Sequence, residues 1–236
     1  ITSLGEGGAQ RVLTNICMHK PCSINHIVVS LIDDKYYACE LRNSGVKVYI
    51  FHFKSNLIHL PFEFFRLIYL IYSIKPDIVQ TWLYHADLIG GICAWMAGIK
   101  QIIWTIRYSD PRNIDNLFTR YCVRILSYLS YLIPSKIIYN SKFSISNHCN
   151  MGYKKKNHIL IYNGFDLNKY YYNYNLRTLF RKSLNIKPEK LVVAMLARFS
   201  PDKDHKLLLN SLSIVKNVYP DFLCILAGEN IDYFNT

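Results

Sequence analysis

Arg198 and Lys203 stand in the segment ARFSPDKDH (residues 197–205), directly after the apolar run LVVAML (191–196). A buried strand that runs into a loop carrying one Arg and one Lys, with a helix beyond, suits the capture of a diphosphate by an α/β protein. The guanidinium can grip phosphate oxygens as a fork, the ammonium adds a point charge, and the helix N-terminus contributes its dipole. The same residues also fit a solvated loop in which Asp202 and Asp204 neutralise the two cations. Spacing alone leaves both readings open.

A second group of candidates lies in the first half of the chain. Gly7 and Gly8 belong to GEGGAQ (5–10), just ahead of a helical pattern at Val12, Leu13, Ile16 and Cys17. Glycines there let a ligand approach the backbone and leave helix-terminal amides free for an anion, although an ordinary tight turn uses them equally well. The pattern is not G-x-G-x-x-G, so a dinucleotide is not favoured. His85 follows Trp82, Leu83 and Tyr84 at the carboxyl end of a strand and precedes Asp87. It could orient an acceptor hydroxyl, or stand exposed near a helix N-cap. Arg107 closes the next strand in IRYSD (106–110), where it could bind an anionic acceptor or only pair with Asp110.

These residues need a scaffold, and the hydrophobic pattern predicts one. Apolar runs read as strands at 26–32, 46–51, 78–82, 101–106, 136–140 and 158–163. Helical spacing predicts helices over 60–72, 86–97, about 113–132 and 142–151, with a short one ending at Leu41. Strands alternating with helices indicate a parallel sheet covered on both faces, where ligands bind beyond the carboxyl ends of the strands. The loops beginning at Gly5, Asp33, Trp82, Arg107, Ser141 and Arg198 are therefore expected on one side. The segment NGFDLNKYYYNYN (163–175) reads as an interdomain linker, and a helix starts near Leu176. Beyond it come a strand at 191–196, a helix at 203–218 ended by Tyr219 and Pro220, and a strand at 222–227, about one βαβ unit. The expected domains are residues 1–168 and 169–236, the second incomplete, and residues 1–4 look like the remainder of a first strand. Truncation at both ends is the expectation.

Composition narrows the function classes. With 51% apolar and 19% charged residues the chain is globular rather than disordered. Lys and Arg (28) exceed Asp and Glu (16) by 12, which favours nucleic acid, an anionic membrane surface or phosphorylated small molecules as partners. Nucleic acid requires a basic face or a stacking platform, and Lys154 to Lys156 form the single basic run, so no nucleic acid is expected. The helices at 60–72 and 113–132 mix Arg with Tyr, Phe and Leu, which suits an anionic membrane surface as well as a helix flanking a sheet. The seven cysteines form no C-x-x-C pair, so free thiols in a reducing compartment and no metal site are expected. No signal peptide is visible, and neither 60–74 nor 121–139 supplies the roughly 20 uninterrupted apolar residues of a spanning helix. The expected location is the cytoplasm, peripheral to the inner membrane face.

Four pieces occur in register along the chain: GGAQRV (7–12), DIVQTWLYHADLIGG (77–91), IYNGFD (161–166) and ARFSPDKDH (197–205). Their order and spacing resemble the GT-B glycosyltransferases of family 4, the retaining, nucleotide-sugar-dependent group, over essentially the whole chain. The resemblance implies an α/β fold of GT-B type: a Rossmann-like, parallel-sheet N-terminal domain on the acceptor side, then the beginning of a second Rossmann-like domain that binds the donor. It implies that Arg198 and Lys203 hold the donor diphosphate, that Gly7 and Gly8 contact the donor and border the acceptor site, and that His85 lies in the acceptor-facing loop with Trp82 and Arg107 nearby. Many relatives have a His three places before His85, where this chain has Trp82, and Gln10 stands where Glu is commonest. The family's E-(x)7-E motif, which contacts donor sugar and ribose, has no counterpart before Thr236.

The chemistry implied is transfer of a hexosyl or N-acetylhexosaminyl group, with retention, to a glycan or lipid-linked acceptor in the synthesis of cell-surface polysaccharide such as lipopolysaccharide or capsule. No metal or other cofactor is expected, because Arg198 and Lys203 would stabilise the departing diphosphate. As a fragment, the 236-residue chain is expected to be inactive by itself. Two other readings stand beside this one. A nucleotide-sugar 2-epimerase shares the architecture, although the GGAQR loop and the NGFD segment argue against it, and a non-enzymatic, degenerate gene product would bind acceptor or membrane, or do nothing.

Overall fold

The computed structural model of the chain describes every residue except 20, 34, 54–58, 169 and 233–236. The residues gather into two compact units, Ile1–Phe165 and Asp166–Thr236. The expected boundary between 168 and 169 falls beside Lys169, which lies outside the described residues.

The first unit alternates strands and helices in the order α1 (Gly8–Met18), β1 (Ile27–Ser30), α2 (Tyr36–Asn43), β2 (Lys47–Ile50), α3 (Leu60–Ile74) and β3 (Val79–Trp82). It continues through α4 (Tyr84–Met96), β4 (Ile102–Ile106), α5 (Leu117–Leu129), β5 (Lys136–Tyr139), α6 (Lys142–Asn150) and β6 (His158–Leu160). β1 and β2 pair in parallel, Ile27 opposite Lys47. β3, β4, β5 and β6 form a second parallel sheet in that order, with Trp82 opposite Thr105 and Ile106 opposite Tyr139. Parallel pairing puts the carboxyl ends of β3 to β6 along one edge, so the loops after Trp82, Ile106, Tyr139 and Leu160 share a side.

The continuous sheet expected from the strand pattern is thus divided in two. Residues 1–4 run beside β1, where the Ile1 amine donates to the Val29 carbonyl at 2.8 Å and the Leu31 N–H donates to the Ile1 carbonyl at 3.0 Å. Leu4 then turns away: its N–H goes to the Asp33 carboxylate at 3.1 Å and its carbonyl accepts from Tyr37 at 3.1 Å. With its backbone groups taken by a side chain and by α2, this stretch forms no strand. A shared core joins the two sheets nonetheless, since Leu31 and Phe51 pack with Trp104, Ile106, Val123 and Tyr139. A second cluster gathers Leu4, Leu13, Val28, Leu41 and Val46 around Trp82. Burying each such side chain contributes about 1.5–3 kcal/mol, so the core holds the strand ends in register.

Capping residues move two helices from their expected bounds. The helix predicted at 113–132 is a 3-10 turn, Pro111–Asn113, followed by α5 from Leu117, because the Asn116 side chain accepts from Thr119 N–H at 3.0 Å and fixes the start there. In the second unit, α7 (Tyr174–Ser183) precedes β7 (Leu191–Leu196), α8 (His205–Val215) and β8 (Phe222–Ala227). β7 and β8 pair in parallel over all six residues, from Leu191 opposite Phe222 to Leu196 opposite Ala227. The helix expected from Lys203 begins at His205 instead. Lys203 ends a 3-10 turn, and Asp204, at φ 48°, caps α8 by accepting from Leu207 N–H at 3.0 Å.

Candidate functional site

In the second unit the edge of the β7–β8 pair presents Arg198. The Ala197 N–H donates to Ala227 at 3.0 Å and the Phe199 N–H to Glu229 at 2.9 Å, so the loop is held on both sides of the Arg. Gly228 makes that approach feasible, because a Cβ at this position would overlap the backbone carbonyl of Ala197. Below the loop His205 is buried with its ring 5.2 Å from that of Phe199.

Arg198 and Lys203 converge on a single carboxylate. An Arg198 nitrogen lies 3.9 Å and the Lys203 ammonium 3.2 Å from the Asp202 oxygens. The Ser200 hydroxyl and both cations hold the Asp202 carboxyl below the usual carboxylate range. Both cations remain about half exposed, at 57% and 44%. The solvated-loop reading therefore holds for Asp202, whereas Asp204 is spent on capping α8. Two cations already gathered on one carboxylate at a helix N-terminus can hand over to a phosphate with little reorganisation.

In the first unit Gly7 is extended, with φ 175°, and α1 opens at Gly8 without a side-chain cap. The side chain of Gln10 folds over Gly7, whereas a Cβ on Gly8 would meet nothing within 4 Å. Open space and uncapped amides thus coincide at Gly8.

The edge formed by β3, β4 and β6 brings together Trp82, Arg107 and Asn163. The Arg107 guanidinium lies 5.6 Å from the centre of the Trp82 ring and donates to the Asn163 side-chain oxygen. Arg107 does not pair with Asp110, whose carboxylate is gripped at both oxygens by Arg112 at 2.8 and 2.7 Å. Among the described residues no carboxylate reaches Arg107, and burial pushes its guanidinium pKa down. The backbone beside it is strained: Leu83 sits at φ 74° and ψ 151°, a region nearly reserved for glycine. Leu83, Tyr84, Ile106, Arg107 and Tyr108 line a small cavity of about 40 Å³.

A buried polar chain supports this edge. His148 is fully buried and its Nδ1–H donates to the Ser144 carbonyl at 2.7 Å, which leaves Nε2 to accept from the Tyr84 hydroxyl at 2.8 Å. Burial lowers the His148 pKa to about 4 and raises that of Tyr84, so both stay neutral. The Ser144 hydroxyl donates to the Tyr108 carbonyl at 2.8 Å and Asn147 to that of Ser109 at 3.1 Å, fixing the loop after Arg107. His85 points elsewhere. Its ring stacks on Phe118 at 5.7 Å and its Nε2 lies 3.4 Å from the Thr119 hydroxyl, and burial depresses its pKa. The structure thus groups Trp82 and Arg107, ties His85 to α5, and adds Asn163, the first residue of the segment that the sequence reads as a linker.

The model of the family described as Glycosyltransferase Family 4 matches residues 7–169. No curated protein matches the chain. Among solved structures the chain is similar to HepE from Anabaena, in complex with UDP-glucose, with a TM-score of 0.80 at 22% identity over 99% of this chain and 60% of that one. A glycosyltransferase from Rickettsia africae ESF-5 is similar with a TM-score of 0.69 at 19% identity, over 95% of this chain and 57% of that one. A putative UDP-N-acetylglucosamine 2-epimerase from Listeria monocytogenes has a TM-score of 0.54 at 10% identity, over 98% of this chain and 64% of that one. The chain spans about 60% of the length of HepE. These likenesses show the fold, Rossmann-like and of GT-B type, and the family model covers more than half of the sequence. On that match, and with the glycine turn and the Trp82–Arg107 edge inside it, the chain belongs to Glycosyltransferase Family 4.

Proposed function

We propose that this chain is part of a glycosyltransferase that takes its sugar from a nucleotide diphosphate donor and delivers it to an acceptor hydroxyl with retained configuration. The observation that carries the reading is the meeting of Arg198 and Lys203 on Asp202 at the start of α8. In the reaction the bond from the anomeric carbon to the diphosphate oxygen breaks and a bond to the acceptor oxygen forms. The acceptor proton leaves with the diphosphate. Negative charge builds on the leaving group, and preorganised cations there lower the barrier without a metal. Gly8, with open space above an uncapped helix end, is where an anionic group would meet free backbone amides in the first unit. Arg107, half-buried and held by Trp82 and Asn163, would meet the acceptor. A glycan or lipid-linked acceptor, made into cell-surface polysaccharide at the cytoplasmic membrane face, fits this arrangement.

The test uses the open reading frame that contains this chain, expressed whole and given UDP-glucose, the nucleotide sugar found in complex with HepE, with lipid-linked glycan acceptors. Release of nucleoside diphosphate in step with a lengthened glycan is the expected result. An isomerised nucleotide sugar formed without acceptor would make the protein an epimerase. Neither product, with any nucleotide sugar supplied, would overturn the proposal.

A further inference from the structure

Helices that flank a sheet bury one face and turn a polar one to water. α5 departs from that rule. Its inner face buries Cys122, Val123, Leu126 and Ser127, as expected. Its outer face exposes Tyr121, Ile125 and Tyr128, at 67%, 48% and 71%, and the stripe runs on to Leu132 at 62%. These positions recur at the spacing of one helical face, with Arg124 among them and Arg120 beside them. Neither Arg is in an ion pair among the described residues, and no Asp or Glu occurs in the sequence between Leu117 and Phe165. The same stretch carries Lys136, Lys142 and the run Lys154 to Lys156.

α3 offers a contrast on the other flank of α4. It exposes Phe62, Phe65, Tyr69 and Tyr72. Its single Arg, however, is matched by Glu63 at 3.1 Å. An apolar partner alone would find α3 and α5 equally suitable; a partner that is both apolar and anionic would choose α5.

We propose that the outer face of α5 docks on an anionic lipid surface. Tyr121, Ile125, Tyr128 and Leu132 would enter the boundary between headgroups and acyl chains, while Arg120 and Arg124 extend to the lipid phosphates. Long basic side chains cover apolar surface and reach the headgroup level together, and tyrosine rings favour the same interface. The acid-free stretch keeps this end of the unit attractive to a negatively charged leaflet. No helix among the described residues is long and apolar enough to cross a membrane, so the contact would be peripheral. The inference does not depend on the sugar-transfer reading, since it uses neither Arg198 nor Arg107.

The test is co-sedimentation of the purified 236-residue chain with phosphatidylcholine vesicles, with and without about one phosphatidylglycerol in three lipids. Binding to the anionic vesicles alone, weakened by added salt, is expected. The double variant Arg120→Gln/Arg124→Gln should bind about thirty-fold more weakly. Tyr121→Ser/Tyr128→Ser should also lose binding, with far-UV dichroism unchanged because both rings are outside the core. A Tyr128→Trp reporter should shift its emission to the blue on anionic vesicles only. Equal binding to neutral vesicles, no binding to either, or full binding by the double variants would overturn the proposal. So would a lipid-free dimer that the Tyr variants dissociate in a chain that binds no vesicles, since the stripe would then be a contact between copies.

Discussion

The guanidinium of Arg107 lies over the indole of Trp82, 5.6 Å from the ring centre, at the carboxyl ends of two paired strands. The pair holds a cation at the sheet edge without neutralising it, since Asn163 contributes only a neutral oxygen. A cation so placed would suit an anionic group on the acceptor proposed above. Arg107→Gln should therefore raise KM for an anionic acceptor at least about tenfold, the worth of a hydrogen bond to a charged group, and leave the KM of the donor unchanged. Steady-state kinetics of the whole protein with each substrate varied in turn checks this. A rise in the donor KM alone would move Arg107 out of the acceptor site.

Two glycines, Gly228 in the second unit and Gly8 in the first, should behave in opposite ways. Gly228→Ala forces a methyl group into the Ala197 backbone, so the loop must move. We expect a loss of about 1–3 kcal/mol in the stability of the second unit, read from urea unfolding, together with weaker donor use. Gly8→Ala has open space around its new methyl, and its stability should stay within about 0.5 kcal/mol of the parent. Its donor KM should rise all the same if a ligand approaches the backbone there.

Arg198→Ala removes one of the two cations gathered on Asp202. In the whole protein kcat/KM for the donor should fall by about 2–4 kcal/mol in transition-state terms, as for other preorganised charge-stabilising donors. Unfolding midpoints should not change, because the side chain is 57% exposed. Unaltered turnover would separate Arg198 from the reaction.

Two buried groups give pH dependences of opposite sign. Burial depresses the His148 pKa to about 4, from an ordinary 6.5, so between these values the unfolded chain binds more protons than the folded one. His148 thus adds stability at neutral pH that is lost as pH falls from 6.5 towards 4. Burial raises Asp87 to about 8 from 3.8, although the Thr81 hydroxyl donates to it at 2.5 Å. Here the folded chain binds more protons, and stability falls as pH rises from 3.8 to 8. Relative to the parent, Asp87→Asn should therefore gain stability steadily between pH 5 and 7. The advantage of the parent over His148→Gln should grow by about 2 kcal/mol across the same interval. Urea titrations of the three proteins at pH 5, 6 and 7 give the slopes, and parallel curves would show that neither group is buried as described.

Much of the scaffold was legible in the sequence. The bounds of β7 and β8 match the apolar runs at 191–196 and 222–227 residue for residue, as parallel strands read as near-continuous apolar runs, but the expected burial is not met: every residue of the two strands is partly or fully exposed, Leu196 at 81%. Helix starts were less legible. Asn116 and Asp204 look like ordinary polar residues until their side chains are seen accepting backbone N–H groups at 3.0 Å. Asn163 was hidden for another reason: its partner Arg107 is distant in sequence, and only the order of the parallel strands brings them together.

Sequence by itself determined the α/β alternation, the parallel strands and the family, since periodicity and local motifs are properties of neighbouring residues. It also located Trp82, Arg107 and Arg198 at or just beyond strand ends, where parallel sheets bind ligands, and Lys203 in the loop that follows. Tertiary structure alone decided what each of them faces. Asp202 rather than Asp204 holds the cations, Asp110 goes to Arg112 and leaves Arg107 without a carboxylate, and His85 lies against Phe118. Such choices depend on distances of a few ångströms between segments far apart in the chain, and they are set by competition for partners within a packed interior, which no local pattern records.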